Sequence, residues 1–143
     1  MPINTARFLE LYKVELSPIK LDRTVQGIKS IILDFEQSPL EFSIPEQAYI
    51  WATIYHETNT TMIPYVEKRQ VKTDTIARRH VKERQDRYWD SGFYGRGYVQ
   101  LTWRNNYSKM SNLLKQYLPN KYSKYPEGFL VLHPDHLLDK QIS

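Results

Sequence analysis

The chain has 143 residues, a net charge of +4 and no cysteine. That length fits one domain able to bury a core unaided, and the missing thiols exclude disulfides, zinc–thiolate sites and a cysteine nucleophile. With 41% hydrophobic and 25% charged residues, the composition is that of an ordinary globular protein and excludes disorder of the whole chain.

Aromatic residues stand out: 11 Tyr, 3 Trp and 5 Phe. Tyr and Trp pair an apolar face with a polar edge, which suits both a core and a partly wet groove. No segment approaches the roughly 20 apolar residues that a membrane-spanning helix needs. Between Met1 and Lys20, apolar residues alternate with Arg7, Glu10, Lys13 and Glu15, unlike a secretory signal. The expectation is a protein made in the cytoplasm, which would need another factor to release it if it acts outside the cell.

In chain order, Val25, Ile28, Ile32 and Phe35 fall at helical spacing and predict a helix over 24–36, broken at Ser38-Pro39. Ser43-Ile44-Pro45-Glu46 reads as a capping box that starts the next helix, IPEQAYIWATIYHE. Ile44, Ala48, Trp51, Ala52 and Tyr55 share one side of it, and Ile50 and Ile54 another. A helix apolar on so many sides is expected to be central and buried. Pro64 bars its continuation past Tyr65.

A polar, basic helix is expected over 73–88. Between Lys68 and Arg87, eight Lys/Arg stand against Asp74, Glu83 and Asp86. Such a run suits a polyanionic wall, a membrane surface or nucleic acid, but interspersed acids favour a solvated helix face. Loops are expected at Asp90-Ser91-Gly92 and Gly95-Arg96-Gly97, a short strand at Tyr98-Val99-Gln100-Leu101, and a helix capped by Thr102 that runs to Tyr117 and ends at Pro119-Asn120. A loop-rich remainder has one or two late helical turns. Helices dominate, with one small sheet.

Two constellations carry chemistry. His56-Glu57 ends the apolar helix. Apolar neighbours and the negative end of the helix dipole both favour a protonated acid there, the form that can donate to a leaving oxygen. Glycoside hydrolysis normally needs a second carboxylate. Glu67 is the next glutamate, with Asp74, Glu83 and Asp86 as rivals in the basic stretch. The second constellation runs from Gly92 to Tyr107. Gly95 and Gly97 allow unusual backbone angles and close approach. Gln100 and Thr102 share one face if the segment is extended, and Asn106 follows Thr102 by one helical turn. Gly95-Arg96-Gly97 is no nucleotide fingerprint, since the spacing and the lysine are missing. His133 and His136 have a possible ligand spacing, but Pro134 lies between them and no third ligand is evident, so no metal is expected.

His56-Glu57-Thr58, the run Tyr94-Gly95-Arg96-Gly97-Tyr98-Val99-Gln100-Leu101-Thr102 and the following Asn106-Tyr107 resemble the signatures of glycoside hydrolase family 19. The family comprises chitinases and peptidoglycan-degrading endolysins, and the likeness is to its compact endolysin-like branch. It covers about residues 45–138. The resemblance implies a mainly α, α+β lysozyme-like fold with a substrate groove, a single domain over 1–143 truncated at its C-terminus, and no cofactor. It implies Glu57 as general acid, Glu67 as the base that activates water, and Thr102 as the hydroxyl that holds that water. It places His56, Tyr94, Gln100, Asn106 and Tyr107 on the substrate side, with Gly95, Arg96 and Gly97 shaping the loop. The expected reaction is inverting hydrolysis of β-1,4 bonds in peptidoglycan by a monomer with no nucleic-acid partner. Chitin as substrate, and a non-catalytic wall-binding relative, are the alternatives. The segment 70–90 is longer and more basic than the family pattern.

Overall fold

The computed structural model describes residues 4–15 and 22–138. Both the start of the chain and its end at Ser143, where truncation is expected, lie outside the described residues. The architecture is mainly helical with one small two-stranded sheet, and the chain divides into two compact units, Met1–Ile63 and Pro64–Ser143.

The first unit holds α1 (Thr5–Glu15), α2 (Asp22–Gln37) and α3 (Ile44–Glu57). Helix α2 lies where the periodicity of Val25 to Phe35 predicts it, and it buries Ile28, Ile31 and Ile32. Rings join the three helices: Trp51 of α3 lies 4.6 Å from Phe8 and 5.9 Å from Phe35, and Tyr55 lies 6.3 Å from Tyr12. The capping box is present as expected, with Glu46 returning a carboxylate oxygen to the Ser43 N–H at 2.8 Å.

The Ser43 hydroxyl and backbone hold the Glu46 carboxyl below its ordinary range, so this contribution is present near neutral pH and is lost as pH falls through the depressed value. The Ser43 hydroxyl is 3.5 Å from the Glu46 N–H, a long cap bond. Ser43→Ala is therefore expected to cost only about 0.5–1 kcal/mol, the lower part of the N-cap range, measurable by urea denaturation.

The expectation of a wholly buried α3 is corrected. Among its side chains only Ile54 is fully buried, while Ile44 and Tyr49 are largely exposed. Trp51, Ile54 and Tyr55 lie on its more buried side, Ile50 is half-buried, and Ile44, Ala48, Tyr49 and Ala52 are exposed. Apolar content alone did not reveal which side that is.

The second unit begins with β1 (Tyr65–Val66), followed by α4 (Ile76–Asp86), a 3-10 turn (Trp89–Ser91), β2 (Arg96–Gly97), α5 (Arg104–Tyr117), α6 (Pro119–Tyr122), α7 (Phe129–Leu132) and a second 3-10 turn (Pro134–Leu138). The basic helix exists, shorter than expected and capped by the Thr75 hydroxyl. The core gathers Tyr107, Tyr122, Phe129, Leu130 and Leu137 where α5, α6, α7 and the last turn pack together. Buried Ser111 of α5 donates to the Tyr107 carbonyl and accepts the Leu130 N–H, which ties α7 to α5.

Two local expectations are also corrected. The strand falls at Arg96–Gly97, antiparallel to β1, rather than at 98–101. Gly97 and Gln100 take left-handed angles (φ 82° and 49°), so residues 98–100 form a turn, closed by an Arg96–Leu101 bridge. Helix α5 starts at Arg104 behind Trp103 (φ 73°), and Thr102 does not cap it. Helix α5 does end at Tyr117, as expected, and Pro119 then opens a short helix of its own, since its missing N–H costs nothing at the first helical position.

Candidate active site

Glu57 closes α3 and is half-buried; His56 beside it is exposed. The chain then turns sharply. Asn59, Thr60 and Met62 all take left-handed angles (φ 49°, 67° and 57°), which cost energy in residues that carry a Cβ. Thr58 holds this turn: its hydroxyl donates to the Ile54 carbonyl (2.7 Å) and accepts the Met62 N–H (2.9 Å). Gly27 of α2 admits the turn, since a Cβ there would lie 2.0 Å from the Met62 carbonyl oxygen. The position of Glu57 is thus fixed by an over-determined turn within the first unit.

Glu67 follows β1. Its carboxylate accepts three hydrogen bonds: from Gln85 Nε2 (2.8 Å) and the Tyr88 hydroxyl (2.7 Å) on Oε1, and from the Gly95 N–H (2.9 Å) on Oε2. Gln85 is the buried polar hub of this arrangement. Its other contacts are to the Lys68 carbonyl (2.9 Å) and, through its own oxygen, to the Gln70 N–H (2.6 Å). Every polar group of that amide is satisfied, as burial demands. The sequence reading missed Gln85 and Tyr88. The signal was present: Val81, Gln85 and Tyr88, spaced four and three apart, form the least charged stripe of the basic segment.

Burial pushes the Tyr88 phenol up to about 12, helped by the hydrogen bond to Glu67 and its charge and opposed by Arg84. A raised folded value means that the folded state keeps the proton longer than the unfolded chain. The contribution is full below about 10, the ordinary phenol value, and is lost as pH rises from 10 to 12. The melting temperature is therefore expected to fall more steeply between about pH 9.5 and 11.5 in the parent than in Tyr88→Phe. Parallel slopes would refute this.

The loop from Tyr94 to Tyr107 is held by Arg96. Its guanidinium bonds Asp135 through Nε (2.6 Å) and donates through Nη1 to the carbonyls of Gly92 (2.8 Å) and Tyr94 (3.2 Å) and to the Tyr107 hydroxyl (3.1 Å). It lies 4.0 Å from the Tyr94 ring centre, Tyr94 stacks on Trp89 at 4.5 Å, and Arg69 covers Trp89 at 5.6 Å. Cation, ring, ring and cation form one continuous ladder. The loop glycines are there for space and angle. A Cβ at Gly95 would fall 2.6 Å from Gln100 Oε1, and Gly97 needs its left-handed angle close to the Leu137 carbonyl.

Within the second unit the structure brings together Glu67, Tyr94, Gly95, Arg96, Gly97, Gln100, Thr102, Asn106 and Tyr107; Glu57 and His56 belong to the first unit. Several side chains spend their donors on backbone carbonyls of the same unit. Gln100 Nε2 donates to the Tyr65 (2.9 Å) and Gly97 (3.0 Å) carbonyls. The Thr102 hydroxyl donates to the Gln100 carbonyl (2.9 Å), and Asn106 Nδ2 to the Thr102 carbonyl (2.8 Å). The expectation that Gln100 and Thr102 share an extended face is corrected by the turn between them. Tyr107, expected on the substrate side, is completely buried, and its hydroxyl donates to the Tyr94 carbonyl (2.8 Å), so it supports the loop from below.

Among the described residues, no three His, Asp or Glu gather as a metal-ligand set, and no helix is long and apolar enough to cross a membrane. His133 and His136 stack on one another at 5.2 Å. No protein-family model, curated protein or solved structure matches the chain.

Proposed function

We propose that this chain is a glycoside hydrolase of lysozyme-like fold that cuts β-1,4 bonds of peptidoglycan in a substrate groove, with inversion at the anomeric carbon. Glu57 protonates the glycosidic oxygen, and Glu67 takes a proton from the attacking water. One observation carries the reading. Glu67, which resembles the second carboxylate of family 19, is bonded at 2.9 Å to the backbone of Gly95, 28 residues later in the loop that resembles the family signature. Two separately read pieces of one resemblance meet in space. The strained turn behind Glu57 gives further support, since such backbone persists where function demands a fixed position.

Inversion requires the two carboxylates about 6.5–9.5 Å apart, to leave room for water. The cations between Lys68 and Arg87 favour anionic peptidoglycan over neutral chitin. Purified chain should release reducing ends from peptidoglycan faster than from chitin oligomers, with the first product in the inverted anomeric form. No release from either polymer would sink the reading, and a retained anomer would remove the base role from Glu67.

A second reading, a non-catalytic wall-binding relative, is favoured by polar groups already bonded within the chain. Three donors occupy Glu67, and the Gln100, Thr102 and Asn106 side chains bond backbone carbonyls. It predicts co-sedimentation with wall fragments and no turnover.

A further inference from the structure

We propose that the attacking water is held by two oxygens, Oε2 of Glu67 and Oε1 of Gln100, brought together by the bare α-carbon of Gly95. The water's role in attack rests on the hydrolase reading above. A carboxylate offers four acceptor positions, two on each oxygen. On Glu67, Gln85 and Tyr88 fill both positions of Oε1. Among the described residues, Oε2 receives only the Gly95 N–H. One acceptor position therefore remains to take a proton, and it lies on Oε2. Gln85 and Tyr88 are positioning residues in this scheme: by saturating one oxygen they determine which one acts.

The Gln100 amide is oriented with equal definiteness. Its nitrogen lies on two carbonyl oxygens, at 2.9 and 3.0 Å. Carbonyls only accept, so the nitrogen must face them and Oε1 must point away. Among the described residues no hydrogen bond reaches that oxygen. A Cβ on Gly95 would lie 2.6 Å from Gln100 Oε1 and 3.2 Å from Glu67 Oε2. Two oxygens so close to one point are no farther apart than two hydrogen-bond lengths. A single water, with two hydrogens to give, spans them.

In the reaction, the water oxygen forms the new bond to the anomeric carbon. One of its protons passes to Glu67 Oε2, and the other stays on the product hydroxyl beside Gln100 Oε1. The old C–O bond breaks as its oxygen takes the Glu57 proton. Thr102, given the water by the resemblance, instead spends its hydroxyl proton on the Gln100 carbonyl and so supports the residue that holds the water.

A crystal structure of the full chain at about 1.2 Å or better decides the site without any variant. The expected result is an ordered water within hydrogen-bond reach of both oxygens. No water there, or a Gln100 amide turned to put its nitrogen toward Glu67, overturns the proposal. In turnover assays, Gly95→Ala should lower kcat roughly 100-fold, the scale of a small misplacement of reacting groups, and leave KM within about twofold, the signature of an interaction made in the transition state. A Gly95→Ala chain that melts like the parent and keeps its kcat also overturns the proposal. If Gly95→Ala does not fold, the parent's electron density is decisive. A parent that hydrolyses nothing overturns the hydrolase reading and the attacking role together, and density then shows which failed: a bridging water leaves the site standing, and its absence removes that too.

Discussion

Glu57→Gln is expected to lower turnover on peptidoglycan by roughly 100- to 10,000-fold, the range that a positioned general acid contributes. The substitution keeps size and shape and removes only the transferable proton, so it separates acid catalysis from binding. KM should stay near the parent value, since the leaving oxygen gains its proton only as the bond breaks. Folding should be undisturbed: the turn behind Glu57 is held by the Thr58 hydroxyl and by Gly27, not by the Glu57 carboxyl. The measurement is the initial rate of reducing-end release beside a thermal melt of each protein. A Glu57→Gln chain as active as the parent removes Glu57 from the mechanism. A substrate with a better leaving group, one that departs without protonation, should restore much of the lost rate. A binding role for Glu57 gives no such rescue.

Arg96→Met is expected to cost about 3 kcal/mol of stability, the scale of stranding several buried polar groups. The aliphatic stem is kept, so the loss is polar. The guanidinium is 5% exposed, and it satisfies the Gly92 and Tyr94 carbonyls and the Tyr107 hydroxyl besides its ion pair. The Asp135 partner is 77% exposed, so solvent screens that pair and its share is small. Asp135→Asn should therefore cost under about 1 kcal/mol, a contrast that separates the carbonyl contacts from the charge pair. For a chain of this length, about 3 kcal/mol lowers the melting temperature by about 10 °C. An Arg96→Met protein melting within about 2 °C of the parent would show that the loop is held by something else.

Much of the helical framework was legible because its signals are local. Ser43 and Glu46 announce the start of α3 by side-chain chemistry alone, and the spacing of Val25, Ile28, Ile32 and Phe35 places α2. A small sheet was expected and is present, but its strand was misplaced, because the alternation of Tyr98 to Leu101 imitates one. What overrides it is a pair of left-handed residues, Gly97 and Gln100, the second of which carries a side chain. Helix α1 was missed as well: Thr5–Glu15 mixes charged and apolar residues, and its helicity rests on rings such as Phe8 and Tyr12 meeting partners far along the chain.

The candidate site divides in the same way. Motif resemblance proposed Glu57, Glu67 and the loop from Tyr94 to Tyr107 as candidates. It did not identify Gln85 or Tyr88, which reach Glu67 from 18 and 21 residues later across a basic segment. Nor could it say which polar side chains are bonded to the backbone. Gln100, Thr102 and Asn106 look equally free in a motif, and only the path of the backbone shows that each is bonded to a carbonyl of the same unit.

The ring-and-cation ladder has a practical consequence. The three tryptophans occupy three distinct settings: Trp51 among the phenylalanines of the first unit, Trp89 beneath a guanidinium and against Tyr94, and Trp103 edge-on to Tyr88. A nearby cation and a stacked ring each alter indole emission, so these side chains are native fluorophores with different baselines. Chains that retain a single tryptophan would let light report each unit separately, with Trp51 reading the first and Trp89 the second, next to the loop whose Gly95 N–H bonds the candidate base.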